Sequence, residues 1–126
     1  MQRDETNIGD AERKKLAAAE RKEANRLKKI YQGLPPKQLA LAQGLIAQAA
    51  RLRVRLDVLN EDITLNGLTE WFQQSEKCEP YKRERPEAAM FVKLDKNYQT
   101  IMRQLADLVP AEAETPEMVR DAFNCE

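Results

Sequence analysis

The chain has 126 residues, 21 Lys or Arg against 21 Asp or Glu, and no histidine, so it has room for one ordinary domain and a tail and carries no formal net charge. Without histidine, a Ser-His-Asp triad and most metal centres lose their usual base or ligand, and neither a phosphate-binding P-loop nor a dinucleotide-binding glycine motif is present. A third of the residues are charged and only four are glycine, which suits an extended helical binding protein; no enzymatic activity, cofactor or metal is expected.

The zero net charge conceals a division. Residues 1–55 hold 13 Lys/Arg and 6 Asp/Glu, a balance of +7, and residues 56–126 hold 8 and 15, a balance of −7. Such asymmetry predicts different partners for the two ends. No apolar run reaches the ~18–20 residues of a membrane span. The opening MQRDETNIGD does not read as a signal peptide, so no membrane association and a cytoplasmic location are expected. Cys78 and Cys125 stand apart with no C-x-x-C, which predicts reduced thiols and neither a zinc site nor a disulfide.

In chain order, residues 1–9 are polar, and Asp10 is placed to cap a first helix running to about Tyr31. Projected at about 100° per residue, Lys14, Arg21 and Lys28 form one column and Lys15, Lys22 and Lys29 the next. Glu12, Glu20 and Glu23 fall outside that sector, and Leu16, Leu27 and Ile30 lie on the opposite side. A solvated charged face accounts for this pattern, and so does a stripe for the phosphates of a nucleic-acid backbone, which needs cations without interleaved acids.

Gln32-Gly33-Leu34-Pro35-Pro36 breaks the chain. Residues 36–66 then read as one long helix, roughly 45 Å at 1.5 Å per residue, begun by proline and closed by Asn66-Gly67. Ala42, Ala49, Leu56 and Ile63 alternate with Leu45, Leu52 and Leu59 in a 3-4 seam. Arg51, Arg53 and Arg55 add charge to its middle, where they cover apolar surface, pair with acids or meet a partner. Residues 67–85 lose the helical period and read as an extended segment or hairpin, in which Trp71 is expected in the core or at a subunit interface. Lys82, Arg83 and Arg85 precede Pro86 at a helix start, where the dipole disfavours cations, which raises a contact with DNA or a neighbouring chain.

From Pro86 to about residue 109 a third helix carries Phe91, Leu94, Tyr98, Ile101, Leu105 and Leu108 at the same 3-4 spacing, bulky residues that fit the alanines of the long helix. The expectation is an all-α, oligomerising chain. It comprises a basic N-terminal region (1–35), a long antiparallel helical hairpin as the oligomerisation core (36–110) and an acidic C-terminal tail (111–126). Thr115-Pro116-Glu117 begins a short helix over 116–123 whose Met118, Val119 and Phe123, beside five carboxylates, suit a partner-docking face, while a frayed terminus accounts for the segment equally well.

A basic helix, a long helix closing on Asn66-Gly67, an aromatic connection and a Pro86 helix with YQTIMRQLADLVP over 98–110 together resemble the small terminase subunits of tailed bacteriophages and prophages, over roughly residues 30–110. The sequence carries no clear helix-turn-helix, which some small terminases place at the N-terminus. The resemblance implies a homo-oligomeric ring in the host cytoplasm that binds double-stranded viral DNA at the packaging initiation site. It also implies recruitment and regulation of the large terminase subunit, the ATPase and nuclease. Lys14, Lys15, Arg21, Lys22, Lys28 and Lys29 are then the expected DNA contacts. Two rivals stand beside it, a helical scaffold or adaptor that binds only protein and a small dimeric DNA-binding regulator.

Overall fold

The computed structural model of the protein describes residues 9–110 and is mainly helical. The expected helix over 116–123, with Met118, Val119 and Phe123, lies outside the described residues, as do residues 1–8 and Cys125. Among the described residues three helices, α1 (Asp10–Ile30), α2 (Pro36–Asn66) and α3 (Pro86–Asp107), are accompanied by a hairpin of β1 (Thr69–Phe72) and β2 (Tyr81–Glu84).

Both ends of α2 follow from local chemistry. Pro36 occupies its first turn, where a missing N–H costs nothing, and Gly67 closes it at φ 83° and ψ 179°, a conformation that side chains exclude. At the start of α1 the structure differs from the expected Asp10 cap: Gly9 is the capping residue, and its carbonyl accepts the Arg13 N–H at 2.9 Å. Asp10 instead joins Glu12 in the first turn, opposite Lys28 and Lys29 in the last, an arrangement that favours the helix dipole at both ends. α3 stops at Asp107, two residues before the expected end, because Pro110 disfavours the helical conformation at the residue preceding it.

The helices alternate in direction. Ala42 near the start of α2 shares a buried cluster with Leu105 near the end of α3 and with Leu27 and Tyr31 at the end of α1. Around that cluster pack Tyr98, Ile101, Met102 and Leu108, so the bulky row of α3 does meet the small residues of α2. Ala42 and Ala49 are fully buried; their small side chains let neighbouring helices approach closely. Of the expected seam, Leu56 and Leu105 are buried, whereas Leu45, Leu52, Leu59, Phe91, Tyr98 and Ile101 are half-buried. A second buried row, Ile46, Ala50 and Val54, falls outside that seam. Val54 from this row lines grooves with Ala17 and Ala18, so α2 serves α1 as well as α3.

The connection 67–85 is an antiparallel hairpin with Glu70 opposite Arg83, Trp71 opposite Lys82 and Phe72 opposite Tyr81. Residues opposite one another share a face. One face is knitted together by Glu70–Arg83 at 2.7 Å, by the Arg83 guanidinium 3.6 Å from the Phe72 ring centre, and by an edge-on Phe72–Tyr81 contact. Trp71 lies on the other face, 69% exposed with the Lys82 ammonium over its ring, so it is no part of this chain's core.

The three cations before α3 are largely accounted for within the chain. Arg85 gives its backbone to α3, accepting the Ala88 N–H, while its side chain turns to the end of α2, donating to the Gly67 carbonyl at 2.7 Å and to Asp62 at 2.9 Å. It thus supplies the cation that the last turn of α2 lacks. Arg85→Ala should cost about 1.5–3 kcal/mol through these charge-assisted bonds, read as a lower urea midpoint at unchanged slope. Arg85→Lys should recover only part, because an ammonium cannot fork between a carbonyl and a carboxylate as a guanidinium does.

Candidate nucleic-acid interface

The direction in which α1 presents its cations is set by its apolar side. Leu27 is buried and Leu16, Glu20, Ala24 and Ile30 are half-buried, so that side is turned to α2 and α3. Lys14, Lys15, Arg21, Lys22, Lys28 and Lys29 therefore lie on the outer side, and all six are exposed. The span from Lys14 to Lys29 is roughly 22 Å along the helix. Between the two columns stand only the exposed Ala18 and Asn25.

None of the six makes an ion pair with a described residue. Of the acids of α1, Glu23 accepts from Arg26 at 2.7 and 2.9 Å, Glu20 lines an apolar groove, and Asp10 and Glu12 are exposed in the first turn, Asp10 one turn before Lys14. The hydrogen bonds to Glu23 raise the Arg26 pKa, against the opposing effect of burial. A groove of about 680 Å³ between α1 and α2 runs beside the stripe, with Arg21, Lys22 and Lys29 on one bank and the paired Arg53 and Asp57 on the other. Arg53 also lies 5.1 Å from the Tyr98 ring centre, so of the α2 arginines this one is engaged in the fold.

Behind the stripe, Tyr31, expected as the end of the first helix, is a buried member of the core. Burial raises its pKa, nearby Tyr98 adds to the rise, and Arg26 opposes it. The sign follows: the neutral phenol is the form the fold favours, so its contribution is complete below the unfolded value of about 10 and is lost as pH climbs through the raised folded value. Tyr31→Phe should leave stability near neutrality almost unchanged and make the alkaline fall in melting temperature shallower, as thermal scans through that range would show.

Two further surfaces border the helices. Leu16, Val58, Leu59, Met90 and Leu94 line an apolar groove of about 630 Å³ where α1, α2 and α3 meet. Arg51 and Arg55, without ion pairs among the described residues, line a second groove between α2 and α3. Among the described residues no cluster of Cys, Asp and Glu is placed to hold a metal ion, and no helix is long and apolar enough to cross a membrane.

Fold and surface together define a mainly helical protein in which the exposed cations on the outer side of α1 have no ion pair among the described residues. Comparison of the chain with protein-family models, with curated proteins and with solved structures finds no match.

Proposed function

We propose that the protein is a small terminase subunit, which binds viral DNA at the packaging initiation site as a homo-oligomeric ring and recruits and regulates the large ATPase-nuclease subunit. The observation that carries this reading is the outer face of α1, where six exposed cations face away from the core without ion-pair partners among the described residues. Such a face neutralises phosphates irrespective of base sequence. Choice of site then comes from bending of the DNA and from repeated contacts around a ring. Self-association in this reading covers exposed apolar side chains of the helices and hairpin, among them Leu41, Leu65, Trp71 and Val92.

A second reading, a scaffold or adaptor that binds only protein, draws on the apolar groove of Leu16, Val58 and Met90, which has the character of a site for an amphipathic helix. Native mass and binding to duplex DNA across a salt series separate the readings. A closed assembly above a tetramer, whose DNA affinity falls linearly on a log-log plot against salt, is the expected result. A dimer with the same salt dependence favours a small DNA-binding regulator. No DNA association at low salt leaves the adaptor.

A further inference from the structure

The second groove, about 630 Å³ between α2 and α3, has half-buried Leu52 and Ile101 in its floor, exposed Arg51 and Arg55 on the α2 rim, and exposed Asn97 and Gln104 on the α3 rim; Arg55 also borders the apolar groove of Leu16 and Met90. Neither arginine has a hydrogen bond or ion pair with a described residue. Two guanidinium groups one helical turn apart beside an apolar floor suit an occupant that brings carboxylates and apolar side chains together.

The chain contains such a segment. Residues 111–126 carry Glu112, Glu114, Glu117, Asp121 and Glu126 against Arg120, interspersed with Met118, Val119 and Phe123. The segment also begins in the right place. Gln104, at the near end of the groove, precedes Pro110 by six residues, of which the last three follow the end of α3 at Asp107. Sixteen extended residues reach at most roughly 50–58 Å, enough to return along α3 past Asn97 to Arg55. The outer face of α1 also offers cations, but it is convex and has only Ala18 and Asn25 between its columns, so it lacks an apolar floor.

We infer that residues 111–126 dock in the groove between α2 and α3 of their own chain, carboxylates on Arg51 and Arg55 and apolar side chains over Leu52 and Ile101. A protein that captures the acidic segment must then compete with this intramolecular contact, which sets a threshold for capture. The contact does not depend on DNA binding.

Pulsed dipolar spectroscopy on the full chain tests it, with nitroxides at native Cys125 and at position 96 in a Cys78→Ser/Lys96→Cys background. Docking gives a narrow distance distribution that persists when labelled chain is diluted in excess unlabelled chain and broadens in Arg51→Glu/Arg55→Glu. Both arginines are exposed, so helix content should be retained, and Arg51→Gln/Arg55→Gln serves as the milder variant. A broad distribution in the parent overturns the inference. So does a narrow one that the arginine substitutions leave unchanged, or one that is lost on dilution, which would seat a second copy's segment in the groove.

Discussion

Replacing Lys14, Arg21 and Lys28 together by glutamate is expected to weaken DNA association severely and to leave native mass and helix content as they were. The three side chains share one column of α1, are exposed, and make no ion pair with a described residue, so their reversal removes no bond that holds the fold. Six phosphate contacts give a slope of about −5 for log affinity against log salt, and losing three should reduce its magnitude by about 3. Reversal also places carboxylates against the phosphates, so an affinity loss of roughly a hundredfold or more at moderate salt is expected from charge alone. A triple variant with the parent's affinity and slope would remove α1 from the interface.

Leu105→Ala carries the largest expected loss of stability. Leu105 is 0% exposed and belongs to the cluster that joins Ala42 and Ile46 of α2 to Leu27 and Tyr31 at the end of α1. Truncating a leucine so enclosed costs about 2–5 kcal/mol, part lost transfer energy and part cavity. In a domain of this size that lowers the melting temperature by roughly 10–30 °C. Lys93→Ala on the same helix is the control: Lys93 is exposed and should change stability by no more than about 0.5 kcal/mol. Equal melting temperatures for the two variants would show that the cluster at Leu105 is not where the helices are held.

The parts of the fold legible in the sequence are those set by neighbours along the chain. Pro36 and Gly67 bound α2 because one lacks an N–H and the other lacks a side chain, and Pro86 starts α3 for the same reason as Pro36. What depends on three-dimensional neighbours was not legible. The row Ile46, Ala50 and Val54 escapes a heptad count because α2 has two partners, and a 3-4 seam describes one. Trp71 is an apolar residue in a two-faced ribbon, and nothing local says which face is covered. Arg85 looks misplaced at the head of α3 until Asp62 and the Gly67 carbonyl, distant in sequence, come within its reach. The outward direction of the cationic stripe was legible because Leu16, Leu27 and Ile30 on the same helix mark the inward side. The groove of Arg51 and Arg55 was not, because it exists only once α3 lies alongside.

α1 has a single fully buried residue, Leu27, one turn from its end. The free energy of opening therefore falls from that turn toward Asp10, since the earlier turns have less packing to lose. Amide hydrogens near Leu27 should exchange only through opening of the whole bundle, while those around Lys14 and Lys15 exchange through release of the first turns alone. A cationic arm secured at one end can follow the curve of a charged surface while its root stays locked in the core.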